Sequence, residues 1–155
     1  MKAIQIPNNI AYSHVEYEVQ NKLFSSFIGK VIKDIYFDNE NFYILFDNDQ
    51  VIKLYHNVTC YGCDDFWIEE VVGNIDRLIG QPLTLAKGIE NNLDEVEEEE
   101  NERVWHLYKF GTDRESITIR FMGFLNDYST SIDLKMYQVE LEDGEVWNND
   151  MFKLI

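Results

Sequence analysis

Three short apolar runs follow one another early in the chain, and polar tetrapeptides separate them. Residues 31–37, 42–46 and 51–56 are rich in β-branched and aromatic side chains, whereas 38–41 and 47–50 contain only Asp, Asn, Glu and Gln. Asp and Asn bond to their own backbone and tolerate positive φ, so this spacing is typical of consecutive β-hairpins. The pattern predicts three antiparallel strands.

Further along the chain, apolar and polar residues alternate as they do in half-buried strands. Ile117, Ile119 and Phe121 are one such alternating set. We predict four further strands, at 83–89, 104–110, 116–124 and 131–141. The tail from Glu142 onward keeps six apolar residues and is expected to dock on the sheet.

A first helical segment is predicted near the amino terminus. From Tyr12 to Phe27, apolar residues fall almost four apart, and Ser13 and Glu16 have the spacing of a capping box. The alternation within 15–19 would also fit a strand.

Residues 66–80 form a second segment with helical spacing, with apolar side chains at Ile68, Val72, Ile75 and Ile79. Gly73-Asn74 interrupts this stripe, so we predict two short helical segments, with Asn74 capping the second. Gly80 and Pro82 then end the segment.

These elements predict an α+β fold. We expect an antiparallel sheet of about six strands, connected as hairpins or a meander, with one or two short helices packed on it. No internal repeat and no Pro/Gly/Ser-rich linker divides the 155 residues. We therefore predict one domain over residues 1–155, with a mobile acidic loop at 91–102.

The charge narrows the possible partners. With 13 Lys+Arg against 29 Asp+Glu, the formal net charge is −16. Such a surface repels nucleic acid and anionic lipid, and it suits either a basic protein partner or solubility alone. The absence of a signal peptide or a membrane-spanning run predicts a location in the cytosol, where cysteines stay reduced.

The strongest concentration of charge is the sequence DEVEEEENE at 94–102. It is too charged to pack, so one interpretation is a solvated loop. The other is that its glutamates mimic a row of phosphates and bind a basic partner: Glu95, Glu97, Glu98, Glu99, Glu100 and Glu102.

His56, Cys60 and Cys63 are candidate zinc ligands, with Asp64 or Asp65 as a fourth. A structural zinc site needs a second ligand pair at matching spacing, however, and the other histidines are distant in the sequence. The alternative is that His56 ends a strand, a turn follows, and Asp65 caps a helix at Phe66.

Motifs of common enzyme classes are missing. The chain contains no G-x-S-x-G, Walker A, G-x-G-x-x-G or H-E-x-x-H sequence. Adjacent carboxylates are expected by chance in so acidic a chain, so they do not identify an acid–base pair. We predict a protein that is not an enzyme and has no cofactor. The alternatives are a zinc site, and an enzyme that uses carboxylate acid–base chemistry.

The order of the predicted segments and motifs resembles that of a known family over about residues 27–137. The matching residues are His56, Cys60, 68–74, 78–82, Trp105, 108–110, Thr112 and 119–123. They resemble a family of small phage and bacterial proteins catalogued as a domain of unknown function. In that family the two cysteines tend to be adjacent, whereas here Tyr61-Gly62 separates them. The resemblance implies phage ancestry and an α+β fold, but no mechanism.

Charge, size and this resemblance together suggest an acidic phage protein that inhibits a host defence protein, in the manner of anti-CRISPR proteins. The expected partner is a basic, nucleic-acid-handling host protein such as a defence nuclease. The alternative function is a zinc-stabilised structural or interaction module centred on His56, Cys60 and Cys63. The oligomeric state is not predicted.

Overall fold

The computed structural model describes residues 1–6, 17–56, 66–89, 103–124 and 132–155. One α-helix, α1 (Tyr17–Ser25), and two 3₁₀ helices (Ile75–Arg77 and Asn149–Leu154) occur in these ranges. The strands are β1 (Lys2–Gln5), β2 (Ile32–Phe37), β3 (Asn41–Phe46), β4 (Gln50–His56), β5 (Phe66–Val72), β6 (Leu85–Ile89), β7 (Arg103–Gly111), β8 (Ser116–Phe124) and β9 (Ile132–Glu140).

The strands form two antiparallel sheets. The five-stranded sheet has the order β1-β9-β4-β3-β2, and the four-stranded sheet has the order β5-β8-β7-β6. The described fold is therefore mainly β, with nine strands and few short helices. The prediction of an α+β fold with about six strands was wrong in its class and its strand count, although the antiparallel hairpins 31–37, 42–46 and 51–56 are confirmed as β2, β3 and β4.

The main core lies between the facing sides of the two sheets. Phe42 of β3 stacks on Phe110 of β7 with ring centroids 5.6 Å apart, and Phe24 of α1 meets Phe110 edge-on at 5.4 Å. All three rings are fully buried. Burying one such side chain stabilises the fold by roughly 1.5–3 kcal/mol, so these contacts hold both sheets and the helix together.

A second, smaller core covers the other side of the five-stranded sheet. Phe152, in the carboxy-terminal 3₁₀ helix, is fully buried and stacks on Tyr36 at 5.4 Å between ring centroids. Trp147 packs edge-on against the Phe152 ring, with ring centroids 4.8 Å apart. The prediction that the tail docks on a sheet is confirmed.

The segment 66–80 differs from its prediction. Residues Phe66–Val72 form strand β5 rather than a helix, so Asp65 does not cap a helix at Phe66. A bulge between Ile68 and Glu70 shifts the alternation of the strand, and Ile68 and Val71 both pack against the core. Two core-facing residues three positions apart therefore imitate helical spacing. The Asn74 cap is confirmed, because its side chain accepts the Asp76 N–H of a 3₁₀ turn.

The amino-terminal helix is confirmed over Tyr17–Ser25, while the predicted capping residues Ser13 and Glu16 lie outside the described residues. Its buried Gln20 ties three elements together. The Gln20 Nε2 donates to the Ile132 carbonyl at 2.6 Å, and the Tyr108 hydroxyl donates to Gln20 Oε1 at 2.7 Å. No helix in the described ranges has both the length and the apolarity needed to cross a membrane.

Candidate functional site at the histidine end

One end of the two sheets carries His56 and the strand ends that flank the two segments with candidate site residues. We call it the histidine end and define it by His56 and Ile132 on the five-stranded sheet and by Phe66 and Arg103 on the four-stranded sheet. His56 pairs with Ile132, Phe66 pairs with Gly123, and Arg103 pairs with Phe124.

A hydrogen bond joins the two sheets at this end. The Ile68 N–H of β5 donates to the Asn39 carbonyl of the β2–β3 turn at 2.7 Å. The histidine ends of both sheets therefore lie on the same side of the molecule.

Two histidines face the interior here. His56 follows Ile52 and Leu54 on the core side of β4, and His106 precedes Tyr108 on the core side of β7. Burial, and to a smaller extent the charge of His56, lower the pKa of His106 to about 4. His106 is therefore neutral at pH 7, which is the form that ligates metals.

His106 is distant from His56 in the sequence, but the fold brings the two close enough for His56 to act electrostatically on His106. Cys60 and Cys63 lie outside the described residues. The segment that contains them starts after His56 and ends before Phe66, and both of these residues belong to the histidine end. In the part of the chain that the structure describes, no group of three or more His, Cys, Asp or Glu could hold a metal ion.

The predicted partner-binding glutamates, between residues 95 and 102, and the loop at 91–102 likewise lie outside the described residues. Their segment is attached at Ile89 of β6 and Arg103 of β7. Ile89 pairs with Leu107, next to His106, so both attachment points belong to the histidine end. The topology thus joins the acidic segment and the His56–Cys63 segment to one end of the molecule.

Other acids are divided between the two ends. Asp38 and Glu40 lie in the β2–β3 turn at the histidine end, where Asp38 Oδ1 accepts the Glu40 N–H at 2.8 Å and stabilises the turn. The opposite end, which we call the carboxylate end, carries more of them: Asp47, Asp49, Glu140, Glu142, Asp143 and Glu145. The described acids therefore do not share one face.

A shallow cleft of about 360 Å³ lies between the sheets near the end of β5. The described residues of its lining include Phe37, Val71 and Asn74, and Asp76 is the one carboxylate among them. The described lining therefore offers no second carboxylate for an acid–base pair.

A family model, described as Domain of unknown function (DUF7448), matches residues 25–134. The chain belongs to this family. The family region runs from the end of α1 to the first residues of β9 and includes the whole histidine end. No curated protein and no solved structure matches the chain. The expectation that the chain belongs to a family with a domain of unknown function is confirmed.

Sequence reasoning missed His106 as a neighbour of His56. The available signal was the alternation in VWHLYKF, which puts His106 on the same strand face as Tyr108 and Phe110. It also missed Lys53 and Lys135, which the register places directly opposite each other. No local pattern encodes that pairing, because the two residues lie on strands far apart in sequence.

Proposed function

We propose that this protein is a non-catalytic binding protein that engages a basic protein through the acidic segment at its histidine end. The observation that supports this proposal is the attachment of residues 90–102 at Ile89 and Arg103, beside the His56–His106 pair. Six glutamates on one short segment, in a chain of net charge −16, favour steered association with a basic surface.

The partner we propose is a nucleic-acid-handling protein of a bacterial host, such as a defence nuclease, inhibited by a phage-encoded protein. A channel that binds phosphates presents Lys and Arg side chains at close spacing. Consecutive glutamates offer carboxylates at a similarly close spacing and would compete for that channel.

The test is a tagged pull-down from bacterial lysate at low and moderate salt, with bound proteins identified by mass spectrometry. One variant replaces Glu97, Glu98, Glu99 and Glu100 by Gln. The control variant removes the same charge at the carboxylate end, through Asp47→Asn, Glu140→Gln, Glu142→Gln and Asp143→Asn. These four side chains are exposed and form no ion pair within the described ranges.

We expect the control variant to retain a basic partner that the variant at Glu97–Glu100 loses. We also expect moderate salt to weaken the capture of this partner. Equal retention by both variants would refute the role of the acidic segment. Equal loss from both would show that only total charge matters.

A second function, a zinc-stabilised interaction module, is favoured by the juxtaposition of His56 and His106. The imidazoles of His56 and His106, with Cys60 and Cys63, would make a Cys₂His₂ donor set of the type that binds structural zinc. Zinc there would tie the two sheets together and stabilise the fold, because a structural metal adds its binding free energy to folding.

Elemental analysis of protein purified without chelator tests this function. We expect close to one equivalent of zinc in the wild type and in a His14→Ala control, and a large loss in His106→Ala and Cys63→Ser. Less than about a tenth of an equivalent in the wild type would exclude the module.

A further inference from the structure

The outer side of the five-stranded sheet carries a row of aligned side chains that crosses four strands. The register places Tyr43 opposite Tyr36 on one side and opposite Lys53 on the other. Lys53 lies in turn opposite Lys135. Directly opposed residues point to the same face, with Cβ atoms about 4.5–5.5 Å apart, and like charges in such positions destabilise a sheet.

Aromatic rings surround the two ammonium groups. The Lys53 Nζ lies 4.9 Å from the centroid of the Tyr55 ring and 5.6 Å from that of Tyr43. The Lys135 Nζ lies 5.3 Å from the Tyr55 centroid and is hydrogen bonded to the Tyr55 side chain. Lys53 also donates to the backbone oxygen of Ile155 at 3.0 Å. Tyr55 therefore lies against both lysines.

Neither lysine forms an ion pair with an Asp or Glu side chain of the described residues. Asp133 adds a smaller contribution to the raised pKa of Lys135, behind the Tyr55 hydrogen bond. Asp38 acts on Lys53 only from a distance, because its Oδ1 accepts two backbone N–H groups of its own turn at 2.8 Å.

Burial of Lys53 raises the free-energy cost of placing its ammonium group opposite that of Lys135. Burial first, and then the charge of Lys135, lower the pKa of the Lys53 ammonium. An anion placed against both groups would offset the repulsion, and its oxygens would replace the water hydrogen bonds that burial removes. Each ammonium has three donors, and Lys53 uses one of them on Ile155.

We propose that Lys53 and Lys135, with Tyr55 between them, form a binding site for a phosphate group on the outer side of the five-stranded sheet. Lysine binds phosphate as a point charge, and hydrogen bonds between charged groups are about twice as strong as neutral ones. The net charge of −16 repels a polyanion at long range, so the ligand is a small phosphate rather than a nucleic acid.

The four-stranded sheet supplies a matched control. Lys87 and Lys109 are also directly opposed, on β6 and β7, but neither ammonium lies over an aromatic ring within the described residues. Lys87 is also exposed, so water screens this second pair. The double variants Lys53→Gln/Lys135→Gln and Lys87→Gln/Lys109→Gln remove equal charge from the two sheets.

Isothermal titration calorimetry with inorganic phosphate, in a low-salt buffer without other oxyanions, tests the site. We expect the Lys87/Lys109 variant to bind as the wild type does and the Lys53/Lys135 variant to bind at least about tenfold more weakly. Equal affinity in the two variants, or no binding by the wild type, overturns the proposal. The second arm of the experiment titrates adenosine monophosphate and adenosine. Tighter binding of the nucleotide than of inorganic phosphate identifies a phosphate ester as the ligand.

Lysine acylation of the wild type, followed by mass spectrometry, gives a readout that does not depend on the folding of any variant. Phosphate is expected to protect Lys53 and Lys135 from the reagent and to leave the labelling of Lys87 and Lys109 unchanged. The proposal would also be overturned if phosphate left the labelling of all four lysines unchanged.

Discussion

Replacing Tyr108 by Phe tests the hydrogen-bonded link between the two sheets and α1. Tyr108 and Gln20 are each 1% exposed, and the Tyr108 hydroxyl is the donor to Gln20 Oε1 within the described residues. Removing the hydroxyl leaves this amide oxygen buried without that donor, which costs about 1–3 kcal/mol. For a chain of this size, the melting temperature should fall by roughly 2–4 °C per kcal/mol.

Urea denaturation of the wild type and Tyr108→Phe measures this loss, and Tyr36→Phe is the control because Tyr36 is only partly buried. In a double-mutant cycle with Gln20→Leu, the two losses should add to more than the loss in the double variant, since both substitutions remove the same hydrogen bond. A loss below about 0.5 kcal/mol in Tyr108→Phe, with an unchanged denaturant slope, would refute the buried network.

Two further predictions concern the backbone and the pH. Gly73→Ala should destabilise the fold by about 2 kcal/mol or more, because φ is +115° and the added Cβ would lie 2.4 Å from the Ser116 carbonyl oxygen. Gly144→Ala, at φ +81° in open space, should cost only about 1–2 kcal/mol, and equal losses in thermal melts would contradict the clash. In chelator-treated protein, the unfolding free energy should fall as the pH drops from 6.5 towards 4, because the folded state holds the pKa of His106 at about 4 and binds fewer protons than the unfolded state. The His106 contribution to this loss is about 2 kcal/mol at pH 5, and a His106→Leu variant with the same pH dependence as the wild type would contradict it.

The strands and turns that depend on residues close together in the chain could be predicted from the sequence. The alternation of apolar and polar side chains and the Asp/Asn turns were enough to place β2, β3 and β4, and the later alternation placed β7, β8 and β9. The motifs around His56 and the 68–82 segment were enough to suggest the family. These signals are local, because the strand period of two and the turn preferences act over a few residues.

Only the tertiary structure decided the form of the 66–80 segment and the composition of the sites. Pairing with β8 makes Phe66–Val72 a strand, and its bulge explains why the sequence alone suggested a helix. His56 acts electrostatically on His106 of the other sheet, and Lys53 faces Lys135 from a strand 82 positions away. Such contacts follow from the order of strands in two sheets, which is set by burial of the shared core rather than by any local preference.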